Sequence, residues 1–331
     1  MSRWYAVDAV GEAFERAKTI LTPINMSFWL RLALVFMIAG GLSGLGQDNT
    51  MNLDSESVGL NVLAVGFAVL AVALFFGFII MYLSAVSDFV VVKTLLSGKL
   101  NVLEYFKSQA GNGLKVFGLQ LIGLGIILGS IFAVVVAVLA VVESGMSFLL
   151  LFAMAFCIVV AVLFGLAIAV IFWVLREFSV PLMLARGYGV LAGLSEAIKI
   201  IRSCSWQFIV FLAIYLVFGV VFGIAVAVFS FIIYFMIFLV LILAGFGAMI
   251  GVGDIIAGGV GGLDALVLGA GVVVIFLVEI CVSYVTTVVF LPASVFLRYF
   301  TLVFLDKATP GLDLFSCEQK IKQDNGVVKV Y

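Results

Sequence analysis

Histidine is absent from all 331 residues of this chain. That excludes Ser-His-Asp catalysis, His-ligated metal or haem, and imidazole proton relays. Cysteine is sparse: Cys157, Cys204, Cys281 and Cys317 are scattered, with no Cys-x-x-Cys pair. A Cys-only zinc site needs clustering, so neither a metal nor a disulfide framework is expected. Charge is scarce too, at 11% of residues against about a quarter in an ordinary soluble domain. No Walker A sequence, no GxSxG and no paired acids in a polar cleft are present, and an ATPase or hydrolase would need one of them. The glycine run at 258–262 has no strand before it and is not a dinucleotide fingerprint. The expectation is a chain without catalytic residues or cofactors.

What is present is hydrophobic: 66% of residues. The stretch from Trp206 to Ile250 holds no Asp, Glu, Lys or Arg, and a membrane span needs about 20 apolar residues. All 17 Lys and Arg residues fall into four clusters, Arg3 to Arg31, Lys93 to Lys115, Arg176 to Arg202 and Arg298 to Lys329. The polar turns between them carry only acids: Asp48, Asp54, Glu56, Glu143, Asp254 and Asp264. Lys and Arg near a span resist translocation, so the clusters mark the cytoplasmic side. The pattern predicts an all-α, polytopic protein of the plasma membrane with both termini cytoplasmic. Six spans are expected, at about 28–46, 60–86, 114–142, 147–175, 207–235 and 266–297. Within 207–250 the sequence allows either one long helix or a helix plus a re-entrant piece. Pro292 is expected to kink the last span. Residues 1–308 read as one transmembrane domain and 309–331 as a mobile cytoplasmic tail.

The N-terminus is not expected to be a cleaved signal peptide, because Asp8, Glu12 and Glu15 precede the first span. Residues 3–25 instead read as an amphipathic interfacial helix, with Val7, Val10, Phe14, Ala17 and Leu21 on its apolar face. Two further interfacial helices are expected at 101–109 and 193–208. Returning spans end alike, in Asp88-Phe89-Val90-Val91 and Glu177-Phe178-Ser179-Val180, and Gly98 and Gly187 occupy matching places. These matches predict a helix-hairpin repeat. The pairs Gly125/Gly129 and Gly219/Gly223 have the spacing of close helix contacts, within one chain or between copies.

Two sets of polar residues stand out. Glu279 lies inside an apolar span, with Ser283 and Thr286 on about the same face. One reading is a proton, cation or head-group site. The structural reading, favoured because no basic residue lies in the span, is a protonated acid hydrogen-bonded to a neighbouring helix, with Gln120 as partner. Asp88, Arg176 and Glu177 form the second set. They are either ligand sites related by the repeat or, as favoured, acids pairing with a nearby Lys or Arg to fix helix joins.

The segments WYAVDAVGEAF, FWLRLAL, GLKVFGLQL (113–121), FSVPLMLARGYGVLAGL (178–194) and PASVFLRYFTLVFLD (292–306) carry a resemblance. The chain resembles an uncharacterised archaeal multi-pass membrane family, itself similar to the membrane domain attached to some glycerophosphodiester phosphodiesterases. The resemblance implies six helices with interfacial helices. It does not imply phosphodiesterase activity, whose barrel has no room here, and it brings no functional residues. The functional expectation is a lipid-organising or membrane-anchoring component of an envelope complex. A lipid or small-substrate transporter coupled through Glu279 is the rival, and a lipid enzyme using Asp88 and Glu177 ranks last. The partners expected are membrane lipids, with a homo-oligomer or a protein bound by the tail also possible on this pattern. Nucleic acid is not expected, since acids are interspersed in each basic cluster.

Overall fold

A computed structural model describes residues 4–22, 24–40, 60–143, 148–256, 277–309, 311–312 and 314–315. Among the described residues all regular structure is helical. The helices are α1 (Tyr5–Leu21), α2 (Met26–Ala39), α3 (Leu60–Ser97), α4 (Val102–Glu143), α5 (Phe148–Val174), α6 (Val180–Arg186), α7 (Val190–Ser203), α8 (Ser205–Ile256), α9 (Leu277–Val289) and α10 (Leu291–Ala308). A π-helical turn, Leu175–Ser179, joins α5 to α6.

Four of these helices are long and apolar enough to cross a membrane: the segments Leu74–Ser97, Val102–Val136, Met154–Arg186 and Ser205–Leu239. The bent pair α9–α10 makes a fifth if counted as one span. This is the helix set of a membrane protein. It differs from the expected six spans at several places, the first being the expected span 60–86, whose helix runs on to Ser97. The segment expected as a first span at 28–46 contains a described helix of only 14 residues, α2, and residues 41–59 lie outside the described part. The chain at 205–256 is one continuous helix, which resolves the alternative left open there. The last expected span, 266–297, breaks between α9 and α10 with a bend of 63°, just before Pro292. Pro292 occupies the first turn of α10, where its missing N–H costs nothing.

The expected interfacial helix at 101–109 has no separate existence. It is the first part of α4, because nothing in the sequence from Asn101 to Glu143 breaks the helix. Helices α1 and α7 are separate, each with one buried face. On α1 the buried face shares Ala17 and Leu21 with the expected apolar stripe. Ala6, Ala9, Ala13, Ala17 and Leu21 are buried, while Val7 and Phe14 are exposed. Small alanine side chains let α1 approach α10 closely, and closeness of packing outweighs side-chain size.

The core lies where α1, α2, the end of α3, the π turn, α6, α7 and α10 meet, with Phe211 inserted from α8. Elsewhere the spans face outward: no residue of the most apolar stretch of α5 is buried, against half of that of α3. Helices α3 and α6 both end on a glycine of positive φ, Gly98 and Gly187, each at 66°. Their N–H groups bond Thr94 O at 2.9 Å and Met183 O at 3.0 Å. Only glycine takes this left-handed cap without strain. The packed chain also extends past the expected boundary at 308. Leu312 and Leu314 are buried, and Phe315 lies under Arg16 at 3.7 Å. Residues 316–331 lie outside the described part.

Glu12 ties α1 to α10, with Lys307 at 3.1 Å and Arg16 at 3.0 Å. Partial burial raises the pKa of its carboxyl, but hydrogen bonds from Lys307 and Arg16 outweigh that and hold it below the usual value. A depressed folded-state pKa gives stability that is present above the unfolded value and lost as pH falls through the folded one. Hydrogen exchange in Tyr5–Leu21 should therefore stay slow near neutral pH and quicken as acid protonates Glu12. In Glu12→Gln this acid-dependent step should vanish.

Candidate functional site

Charged residues within apolar helices are rare and costly unless paired. Here four of them meet at one point. Asp88 of α3 is 1% exposed. Its Oδ2 accepts from Arg176 Nε at 2.8 Å, and its Oδ1 accepts from Arg298 Nη2 at 2.8 Å and Arg176 Nη2 at 3.1 Å. Arg298 of α10 reaches with its other nitrogen to Glu177 Oε2 at 3.2 Å, a charge contact outside good hydrogen-bond alignment. The same nitrogen donates to the Arg176 carbonyl at 3.3 Å. Two guanidiniums and two carboxylates thus balance one another.

Local sequence explains the arrangement. Pro181 cannot donate a hydrogen bond, so the helix before it widens into the π turn, where Val180 N–H reaches back to Leu175 O. Arg176 and Glu177 both lie in that turn. Arg176 Nη2 also donates to the carbonyl of Ala39, the last residue of α2, which Ser84 Oγ bonds at 2.8 Å. One free helix-end carbonyl is satisfied from two neighbours. The two acids are 89 positions apart, each followed by a fully buried phenylalanine, Phe89 and Phe178, and both bind the same arginine. Phe178 belongs to an aromatic cluster in which Phe211 stacks on Phe304 at 4.4 Å and on Phe300 at 4.8 Å.

The expected pairing with basic residues is therefore present: Asp88 binds Arg176, named with it in the sequence, and also Arg298, which sequence reasoning missed and which pairs with Glu177 as well. Arg298 reads as the first member of the terminal basic cluster. Its only signal is isolation: a single charge within the apolar run between Pro292 and Asp306.

The second candidate set comes together only in part. Tyr234 of α8 places its hydroxyl 2.8 and 2.7 Å from the two carboxyl oxygens of Glu279 on α9. The partner is thus Tyr234, not Gln120. Gln120 lies on α4, with its Oε1 buried and without a hydrogen-bond partner among the described residues. The Ser283 carbonyl accepts from Thr287 at 2.8 Å, and the Thr286 hydroxyl is buried without a partner. Tyr234→Phe should destabilise the protein by about 0.6 to 1.7 kcal/mol, the span of measured interhelical hydrogen bonds in membranes. Adding Glu279→Leu should recover most of the loss, because both polar partners are then gone. Unfolding midpoints of the three variants in mixed detergent would check this.

The remaining glycines and thiols are dispersed. A Cβ on Gly125, Gly129, Gly219 or Gly223 would meet nothing within 4 Å, so no neighbouring helix among the described residues crowds these positions. The close approaches are at Gly113 against Val86, Gly123 against Phe172 and Gly193 against Met183. Cys157, Cys204 and Cys281 are free thiols on separate elements. Among the described residues no three His, Cys, Asp or Glu side chains gather as a metal site requires.

The last feature is a groove beside α1. Its walls include Val10, Phe14 and Leu21 of α1, Phe218 and Phe222 of α8, and Phe296 of α10, around a volume of ≈ 600 Å³. Pro292 and Ala293, just after the bend, also line it.

Comparison with known proteins adds a family but no activity. Residues 4–315 match the model of a family of unknown function, DUF7544. No curated protein and no solved structure matches the chain.

Proposed function

We propose, from the premise that the chain belongs to DUF7544, a family of unknown function, that it is a non-enzymatic membrane protein that organises lipid. In this reading it lies in the plasma membrane with both termini cytoplasmic, as the basic clusters favour. The observation that carries the proposal is the closure of the charge cluster. Asp88, Glu177, Arg176 and Arg298 neutralise one another, so the groups most suited to chemistry are used in holding helices together. What the bundle presents outward is largely apolar: the outward faces of α4, α5 and α8 and the groove beside α1. A surface of that kind meets hydrocarbon chains.

Spin-labelled lipids in reconstituted vesicles test this. A motionally restricted lipid population, enriched in anionic over zwitterionic species, is the expected result. Lipid mobility indistinguishable from that of protein-free vesicles would sink the reading. The membrane-anchoring variant would instead be favoured by a protein partner retained through residues 309–331.

The rival reading, a transporter, rests on Glu279. Its contact with Tyr234 supports a structural bond, since the carboxyl already has a partner. Glu279→Gln should accordingly leave lipid restriction unchanged. A carrier coupled through this acid would lose its transport in the same variant.

A further inference from the structure

The groove beside α1 has a chemistry of its own. Its lining is almost wholly apolar, and the bulky face of α1 that packing leaves exposed, Phe14 at 59%, forms one wall. Protein does not fill the space, because Gly11 lines it with no side chain and a Cβ there would meet nothing within 4 Å. Water is a poor occupant of a site without polar partners. The volume falls in the range of small-ligand pockets. One lining residue is charged, Lys18, which is exposed and whose ammonium makes no ion pair among the described residues. By contrast Arg16, two positions earlier, is paired with Glu12. An apolar groove with one unpaired cation matches an amphiphile with a hydrocarbon chain and an anionic head.

We propose that this groove holds the hydrocarbon chain of one anionic membrane lipid, with its phosphate beside Lys18. The proposal rests on the lipid-organising reading and gives it a site. The lipid reaches the groove from the bilayer, and Lys18 supplies the preference for negative charge.

The test uses the full chain in phosphatidylcholine vesicles containing phosphatidylglycerol with a photoactivatable diazirine at the chain end. Adducts are mapped by peptide mass spectrometry. Cross-links should concentrate in residues 10–21, 218–222 and 292–296, and unlabelled phosphatidylglycerol should compete while phosphatidylcholine does not. Gly11→Leu improves helix propensity and places a side chain in the groove. It should lower groove adducts roughly tenfold and leave adducts on the exposed face of α5 intact. Lys18→Gln should lower the preference for the anionic lipid roughly fivefold, the effect of one cation near a membrane surface. Adducts spread evenly over all outward faces, or groove adducts indifferent to Gly11→Leu, would mean annular contact only and overturn the proposal. If a chain ending at Phe315 gains groove adducts that the full chain lacks, residues 316–331 are the occupant, and the proposal fails. In these cases restricted lipid elsewhere leaves the wider reading standing. A complete lack of restricted lipid removes both.

Discussion

Arg298→Ala is expected to destabilise the protein by roughly 3–5 kcal/mol, as removal of one partner from a buried ion pair does. Among the described residues the guanidinium is the one group that pairs with both acids, and its side chain is only 12% exposed. Without it Asp88 keeps Arg176, but Glu177 loses its only ion-pair partner among the described residues. Arg176→Ala should cost less, because its side chain is 32% exposed and water replaces part of what is lost. Arg298→Lys should recover only part of the stability, since a point charge cannot fork between two carboxylates. The decisive comparison adds Glu177→Gln to Arg298→Ala. If the cost arises from a stranded charge, the pair of substitutions is less harmful than their sum by about 0.5–3 kcal/mol. Unfolding in mixed micelles measures each variant. An Arg298→Ala loss below about 1 kcal/mol, the value of a surface pair, would show that the cluster is solvated and not a structural joint.

The second large effect belongs to Gly113. A Cβ built there would lie 3.0 Å from the backbone Cα of Val86, and closer still to the Val86 Cγ2 methyl. The backbone of α3 cannot step aside as a side-chain end does, so α3 and α4 must separate. Gly113→Ala should destabilise the protein by about 1–3 kcal/mol despite the better helix propensity of alanine. Val86→Ala in the same chain should restore part of that, since the methyl is removed but the backbone stays. The control is Gly125→Ala, which meets nothing within 4 Å and should be neutral or stabilising by up to about 1 kcal/mol. Equal effects at Gly113 and Gly125 would contradict the packing of α3 on α4.

These two cases also mark what the sequence made legible. Helical class and long apolar segments follow from composition, because hydrocarbon leaves the backbone few other solutions. Asp88 and Glu177 were visible through their internal match, and so were the glycines that close the helices after them, although the helix carrying Asp88 runs on to Ser97. The partner of both acids was not. Arg298 is 210 positions from Asp88, and no periodicity links residues that far apart. Glu279 was conspicuous as an acid in an apolar run, yet Tyr234 looked like any other aromatic there. Which face of α1 packs into the protein was not legible, because hydrophobicity ranks Val7 and Phe14 above alanine, whereas helix approach rewards the smallest side chains. Spacing likewise singled out Gly125/Gly129 and Gly219/Gly223. Which glycines touch a neighbour depends on where helices cross, and that is set by tertiary packing.

Native mass spectrometry of the protein, extracted gently from its own membrane, tests the lipid-organising reading most directly. The account predicts a stoichiometric anionic lipid retained by the wild type and depleted in Gly11→Leu. Protein released bare of lipid, or carrying instead a polypeptide that is lost when residues 316–331 are removed, would contradict it.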